Sequence, residues 1–556
     1  MTTSAQQDNI TSPPAIHVHQ LNFRYRGANE DDTNPKASTE EASAPSTIED
    51  ISFTLPAGEL LLIAGPSGSG KSTLIKCLNG LIPNSYKGVL SGEIQLQGHT
   101  TKGLKLRDLA HYIGTMLQDP DKQVVGSTVE QEIAFGLENL AVPRPEMRQR
   151  VRNSLEQLHL ERYQGRETFA LSGGQRQQVA AAGILVMQPA IMLFDEPFAN
   201  LDARAIDELE QLIANLRAEG RTVVIVEHRV EEALRLNPDK VLLLREGKQA
   251  FFGPTTQFLK IADPTQVKLP VEATLRTLPT TAQPRDWLLQ PITLGEEDQQ
   301  QATEPILRFE DVHYRYGLFS EEILRGISFS VQRGETIALL GPNGSGKTTL
   351  VKQALGLLRP TKGRVSLYQD DTRKLSVAQL AARIGYVFQS PNAMLFAPSV
   401  AEEASFGPTN LGFTKERVQE AVQASLKALD VDAFEQRSPF SLSFGQQKRV
   451  AIASVLAMQS SILLLDEPTA GQDHRSYMNF MEHLRGLPGL DALLFITHDL
   501  DLALRFTQRV LLLKDGHLVA DGAPLEVLSD AKLLDECNLR PTSLLHYLLG
   551  TRQQVS

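Results

Sequence analysis

The sequence predicts an α/β protein built as two tandem copies of one domain. Three observations carry this expectation. A glycine-rich loop between an apolar run and a helical stretch occurs twice, the residues after each loop recur in one order at nearly equal spacing, and each half has an acidic pair ending an apolar run. The first loop is Gly65-Pro66-Ser67-Gly68-Ser69-Gly70-Lys71-Ser72-Thr73, and the second is Gly341-Pro342-Asn343-Gly344-Ser345-Gly346-Lys347-Thr348-Thr349. The preceding runs, 60–64 and 336–340, read as buried parallel strands. Both loops fit the phosphate-binding pattern G-x-x-x-x-G-K-[ST]. Glycines there let successive backbone N–H groups converge on an anion, and the helix N-terminus adds partial positive charge. Lys71 and Lys347 then reach the β- and γ-phosphates, while the Ser72 and Thr348 hydroxyls ligate Mg²⁺.

The remaining landmarks repeat in step. Gln118 to Ser172 spans 54 positions, as does Gln389 to Ser443; Ser172 to Glu196 spans 24, as does Ser443 to Glu467. Such agreement implies a duplicated domain. The expected divisions are a disordered N-terminus over 1–14, a first domain over 15–253, a linker over 254–305, and a second domain over 306–556. The first domain carries an acidic, solvated loop at about 27–47, and the linker is rich in proline and acidic-polar residues.

Composition narrows the function. The chain has 556 residues, 41% hydrophobic and 22% charged, as in soluble globular proteins. A net charge of −11 argues against a general nucleic-acid binder with a basic face. The two cysteines, Cys77 and Cys537, make neither a disulfide framework nor a metal-binding spacing. The N-terminus lacks a secretory apolar region, and no apolar run reaches bilayer length. Work at a membrane would therefore require spanning helices from other chains.

Each candidate residue occupies a position with a chemical reason. Tyr25 and Tyr316 end the first strand of their halves, where an aromatic ring can stack on adenine. Gln118 and Gln389 follow apolar strands; their side chains suit Mg²⁺ ligation or water orientation, or reporting to a partner. Ser172 is a natural N-cap for the helix after Ser172-Gly173-Gly174-Gln175, giving a second helix N-terminus able to meet a phosphate. Asp195-Glu196 and Asp466-Glu467 lie at strand ends where α/β sheets bind ligands. Asp195 and Asp466 suit the Mg²⁺ shell, and Glu196 and Glu467 suit the attacking water as base or positioner. His228 and His498, at the next strand ends, are expected to contact the γ-phosphate.

Taken together, these residues resemble the ATP-binding cassette ATPases over nearly all of the chain outside the N-terminus and linker. The resemblance implies two P-loop NTPase domains, each a mixed sheet core with an antiparallel β subdomain and a helical signature subdomain. It implies ATP and Mg²⁺ as cofactors and head-to-tail pairing of the two domains within one chain. Lys71, Gln118, Glu196 and His228 would then work with Ser443, Gly445 and Gln446. Lys347, Gln389, Glu467 and His498 would work with Ser172, Gly174 and Gln175.

The segments 118–130, 133–139, 389–391, 405–407, 522–527 and 539–541 look closer to the energy-coupling factor importers of prokaryotes. That likeness implies a peripheral subunit at the cytoplasmic face of the cell membrane. Its partners would be a transmembrane coupling subunit and a substrate-binding membrane subunit, with no nucleic acid. Substrates in that group are vitamins, vitamin precursors or metal ions, and Glu227-His228-Arg229 resembles chains assigned to hydroxymethylpyrimidine or thiamine uptake.

Two departures distinguish the halves. Phe444 stands where the first half has Gly173, and 470–473 reads Ala-Gly-Gln-Asp where 199–202 reads Ala-Asn-Leu-Asp. Both sites are still expected to hydrolyse ATP, because Ser443, Gly445 and Gln446 remain. Three rival readings fit less well. A ribosome- or nucleic-acid-directed double cassette would join its domains by a long charged helix, which the prolines in 254–305 forbid. A sugar importer would carry Asn between Gly and Gln of the signature. A non-catalytic scaffold would not need both Glu196 and Glu467.

Overall fold

The computed structural model describes residues 13–26, 47–117, 122–171, 173–198, 201–276, 289, 291–292, 294, 305–317, 319–485, 487 and 489–555, with the backbone alone at 485 and 551–555. The expectations for residues 1–12, for 27–46 of the acidic loop, and for Gln118 and Ser172 lie outside the described residues. The chain divides into two compact units, Met1–Ala199 with Asp207–Lys268 and Asn200–Ile206 with Leu269–Ser556.

The strands of the first unit are β1 (Ile16–Tyr25), β2 (Ile48–Leu55), β3 (Leu60–Ala64), β4 (Gly88–Leu96), β5 (His99–Thr100), β6 (Ile113–Met116), β7 (Ile191–Asp195), β8 (Thr222–Val226), β9 (Lys240–Arg245) and β10 (Lys248–Pro254). They join as one sheet in the order β5-β4-β1-β2-β10-β9-β3-β8-β7-β6. β3 runs parallel to β8 and β9, and every residue of β3 is buried. Burial on both faces explains its unbroken Leu-Leu-Leu-Ile-Ala composition. β1, β2, β4 and β5 pair antiparallel, so this side is the antiparallel β subdomain. Residues 16–19 and 21–25, two alternating runs in the sequence, form a single strand. Gln20 between them takes a left-handed φ of 46°, and the β1–β4 register shifts there.

The second unit repeats the plan with β11 (Leu307–Tyr314), β12 (Leu324–Val331), β13 (Thr336–Leu340), β14 (Lys362–Leu367), β15 (Asp370–Asp371), β16 (Ile384–Val387), β17 (Ile462–Asp466), β18 (Ala492–Ile496), β19 (Arg509–Lys514) and β20 (His517–Gly522). Here the antiparallel strands form their own sheet, β12-β11-β14-β15, beside β16-β17-β18-β13-β19-β20. In the first unit a single β2–β10 pairing, Glu49 with Lys248, joins the two parts.

A helical subdomain is inserted between β6 and β7 in the first unit and between β16 and β17 in the second. Val129–Asn139, Arg144–Gln157 and Gly173–Leu185 form it in the first, around Val129, Ile133, Leu155 and Val179. Val400–Asn410, Lys415–Ala428 and Phe444–Leu456 form it in the second. Capping boxes and N-caps at Thr128, Ser399 and Thr414 set three of these helix starts.

Within 254–305, helices run over Thr255–Ile261 and Val271–Leu275, and Ile292 and Leu294 are buried in the core of the second unit. Ile292 N–H donates to Phe506 O at 3.0 Å, and Thr336 Oγ1 donates to Ile292 O at 2.8 Å. At the C-terminus, Ser543–Val555 packs Leu544, Leu545 and Leu548 into the same core.

Candidate ATP sites

The two phosphate loops have matching geometry. Gly65 and Gly341 take φ of 146° and 142°, and a Cβ would lie 2.3 Å from Leu244 O in one and 2.0 Å from Leu513 O in the other. No side chain fits there, so the backbone passes close to the adjoining strand. Helices Lys71–Leu78 and Lys347–Ala354 begin directly after the loops, which puts their positive ends at the loop mouth. Lys71 Nζ donates to Gly65 O and Pro66 O, both at 2.8 Å. Lys347 Nζ donates to Gly341 O at 2.8 Å and Pro342 O at 2.9 Å. Both ammonium groups are buried, and burial lowers the pKa of Lys347. The hydroxyls of Ser69 and Ser345 are buried without a hydrogen-bond partner among the described residues. A polyanion entering either loop would meet one lysine charge and one spare serine hydroxyl.

The carboxylates reach the loops from neighbouring strand ends. β7 and β17 each end in an aspartate, and the next residue, Glu196 or Glu467, has a left-handed φ of 48° or 47°. Non-glycine residues seldom hold that conformation, and it re-aims the glutamate at the strand end. His228 Nε2 lies 3.0 Å from Glu196 Oε1, and His498 Nε2 lies 3.3 Å from Glu467 Oε1. His498 also sits 3.1 Å from Asn343 Oδ1 of the loop. Thr348 Oγ1 donates to Asp466 Oδ2 at 2.9 Å, and Tyr386 OH donates to the same oxygen at 3.0 Å.

In the second unit these groups line one open cleft of about 280 Å³, walled by Tyr316, Asn343, Gly344, Lys347, Thr348, Thr349, Gln389, Asp466, Glu467 and His498. A hydroxyl, an amide oxygen and a carboxylate beside a phosphate cradle suit a hard cation that keeps several waters, as Mg²⁺ does. In the first unit, burial and then the Glu196 carboxylate push Asp195 up to about 6.

A model of the family described as "ABC transporter" matches residues 48–199 and 324–470, the spans that hold both phosphate loops and both acidic pairs. The chain belongs to the ABC transporter ATPase family. It is 38% identical over 520 residues to a Streptococcus pneumoniae protein named "Putative ABC transporter ATP-binding protein", covering 91% of this chain and 92% of that one. An Enterococcus faecalis protein of the same name is 36% identical over 559 residues, covering 96% and 94%. A solved chain, cbiO1 of Clostridium perfringens, described as part of the ABC transporter complex cbiONQ, is 33% identical. It covers 44% of this chain and 99% of its own length, with a TM-score of 0.38.

As an ABC ATPase the protein binds and hydrolyses ATP, and the remaining expected residues can be placed against that chemistry. Tyr25 OH lies 3.5 Å from Thr73 Oγ1, and Tyr316 OH lies 3.1 Å from Thr349 Oγ1. Each ring is thus held beside the first turn of the phosphate-loop helix, with an edge-on aromatic neighbour, Phe23 or Tyr314. Ser443 N-caps the second signature helix in a capping box with Gln446, and Phe444 opens that helix half-buried. A first helical position accepts a phenylalanine φ without strain, so the Gly445 amide keeps its place. In the first signature, Gln175 Nε2 donates to Tyr163 OH at 2.9 Å, and Gly174 lies in the first turn of its helix.

Sequence reasoning gave no place in the sites to two buried ionisable residues of this ABC ATPase. Lys448 is one, and Glu227, beside His228, is the other. Glu227 Oε1 accepts from His228 N at 2.8 Å and Arg229 N at 3.0 Å, and Oε2 accepts from Phe198 N at 3.3 Å. One carboxylate thereby ties the turn after Glu196 to the turn of His228. A glutamate directly after the apolar strand Thr222–Val226 was the available signal.

Burial, then the charge of Glu196, raises Glu227 from its ordinary 4.5 to about 7, against the pull of the Arg229 amide, Arg229 and His228. Between those values the folded state holds a proton that the unfolded chain has released, so this group lowers stability as pH rises. Glu227→Gln should therefore gain thermal stability relative to the parent from about pH 4.5 to about 7, with a constant gap above. Asp195 acts in the same direction in both proteins and cancels. Thermal unfolding across that range is the measurement, and a gap that narrows with pH would refute it.

Proposed function

We propose that this ABC ATPase energises an importer of the energy-coupling factor type from the cytoplasmic face of a prokaryotic membrane. In this reading it docks on a transmembrane coupling subunit that works with a substrate-binding membrane subunit. The cargo is a vitamin, a vitamin precursor such as hydroxymethylpyrimidine or thiamine, or a metal ion.

The observation that carries it is an apolar patch built at the same place in both units. Seven and seventeen positions after Gln118 stand Val125 and Phe135, 61% and 47% exposed; at the same offsets from Gln389 stand Phe396 and Phe406, 58% and 53% exposed. Phe396 and Phe406 meet edge to face at 4.7 Å. A buried helix carboxylate holds each segment. Glu132 Oε2 accepts from Val125 N and Gly126 N, and Glu403 Oε2 accepts from Phe396 N and Ala397 N. Large apolar side chains kept at the surface by dedicated hydrogen bonds suit a partner protein. No helix among the described residues is long and apolar enough to cross a membrane, so the partner supplies the spanning segments.

Within each site the division of labour follows from chemistry. Lys71 and Lys347 neutralise phosphate charge. Glu196 and Glu467 accept a proton from, or orient, the attacking water, and His228 and His498 hold those carboxylates. Ser72, Gln118 and Asp195 in the first half, and Thr348, Gln389 and Asp466 in the second, would hold Mg²⁺, which when bound neutralises charge on the phosphates. Ser172, Gly174 and Gln175 in the first half, and Ser443, Gly445 and Gln446 in the second, would offer their helix N-termini to ATP phosphates.

Purification of the chain from its native membrane in mild detergent should bring down a polytopic coupling subunit and a small substrate-binding membrane protein. Val125→Cys and Phe396→Cys should each crosslink to cysteines on cytoplasmic helices of the coupling subunit. Recovery with ribosomes alone, or no crosslink from either position in an intact complex, would overturn this reading.

A further inference from the structure

β16 and β17 run parallel, and their last paired residues are Val387 and Leu465. Their pairing ends just before Phe388-Gln389 and Asp466-Glu467, from which Gln389, Asp466 and Glu467 line the cleft. The backbone ladder stops where accurate spacing matters most. A side chain takes over at that point. Lys448, on the helix Phe444–Leu456, is 0% exposed, and its Nζ donates to Phe388 O at 2.8 Å, Gln389 O at 2.8 Å and Asp466 O at 3.2 Å. Three N–H donors thus meet three carbonyls from two separate strand ends. Bonds from an ionised donor are shorter and stronger than neutral ones, and a buried charge persists only while such partners stay in place.

Among the described residues, the first half shows no such clamp. Gln177, five residues after Ser172 as Lys448 is five after Ser443, donates instead to Pro197 O at 3.1 Å. Thr115 stands where Tyr386 holds Asp466, and accepts from Asn79 Nδ2.

We infer that Lys448 is a positioning residue of the second ATP site, whose ammonium group fixes Gln389 and Asp466 at the spacing that Mg²⁺ requires. Removing it leaves three carbonyls without this donor, and leaves the Tyr386–Asp466 bond and the ladder up to Val387–Leu465 to relate the two strand ends. The second site is then set for the cation by the chain itself, and the first site is not set in this way. The inference rests on the proposed metal roles of Gln389 and Asp466.

The test uses the full chain and Mn²⁺ in place of Mg²⁺. Free Mn²⁺ is followed by electron paramagnetic resonance in the presence of ATP. A Lys71→Ala background reports the second site, and a Lys347→Ala background reports the first. Lys448→Met should weaken Mn²⁺ binding about 10–100-fold in the Lys71→Ala background, as for other residues that orient metal ligands, and leave the Lys347→Ala background unchanged. Lys448→Gln, which restores two N–H donors, should recover part of the loss. Hydrogen exchange over 384–389 should quicken in Lys448→Met at an unchanged melting temperature.

Unchanged Mn²⁺ affinity in the Lys71→Ala background would overturn the inference, as would an equal loss in both backgrounds. If Lys448→Met does not fold, Lys448→Gln carries the same comparison, because glutamine already occupies the equivalent position of the first half. Asp466→Asn separates the two readings. If it leaves Mn²⁺ binding intact, the metal assignment fails; if it weakens binding while Lys448→Met does not, only the clamp fails.

Discussion

Replacing Glu196 and Glu467 together with glutamine is expected to lower ATP turnover by about 10²–10⁴-fold, the usual contribution of a positioned acid or base, while ATP remains bound. Glutamine keeps the size of the side chain and one oxygen, so His228 and His498 retain a neighbour at 3.0 and 3.3 Å. It cannot take a proton. The left-handed backbone at both glutamates is unaffected by the change, since the φ of 48° and 47° belongs to the turn rather than to the carboxylate. Binding groups such as Lys71, Lys347 and the loop amides are untouched, so nucleotide should be retained after gel filtration in a closed form. Turnover in the double variant equal to that of the parent would remove both glutamates from the chemistry. The single variants divide the result, because each should silence its own site.

The second large effect is expected at the loop lysines. Lys71→Ala and Lys347→Ala should each reduce ATP-driven transport by about 10²–10³-fold, the scale seen when one preorganised donor to a developing charge is lost. Each ammonium group is buried and already spans two carbonyls of its own loop, Gly65 O and Pro66 O in one and Gly341 O and Pro342 O in the other. Alanine therefore removes both the charge for the phosphates and two hydrogen bonds to the loop's own carbonyls. Transport is measured in the reconstituted complex, and ATP binding is followed separately in the isolated chain. Parental transport with either variant, at equal expression, would contradict the assignment. Loss of transport with unaltered folding of the other unit, followed by hydrogen exchange, would separate a site defect from a stability defect.

Much of this protein was legible in its sequence because phosphate recognition is local. Nine contiguous residues, Gly65–Thr73, carry the amides, the lysine and the hydroxyl suited to one anion, and a second copy at Gly341–Thr349 makes chance agreement untenable. The buried parallel strands, with their unbroken apolar runs at 60–64 and 336–340, were equally plain, as were the acidic pairs that end Ile191–Asp195 and Ile462–Asp466. Proline was a weaker guide. The prolines that mark 254–305 as a linker include Pro254 and Pro270, which stand directly before helices Thr255–Ile261 and Val271–Leu275, positions where a missing N–H does no harm.

Tertiary structure decided what lies far apart in the chain. Thr348 meets Asp466 across 118 positions, His498 meets Asn343 across 155, and Lys448 reaches back 60 residues to Phe388. Motifs pointed Thr348 and Asp466 at one cation and His498 at the same nucleotide, but none encodes the Lys448 contact, which depends on which strands become neighbours. The sequence alone determined that this chain has two phosphate sites with the same parts. Only the folded chain decided that the parts are held differently. Glu227 ties the turns of the first site and Lys448 bridges the strand ends of the second, since a buried charge must find its partners wherever the fold places them.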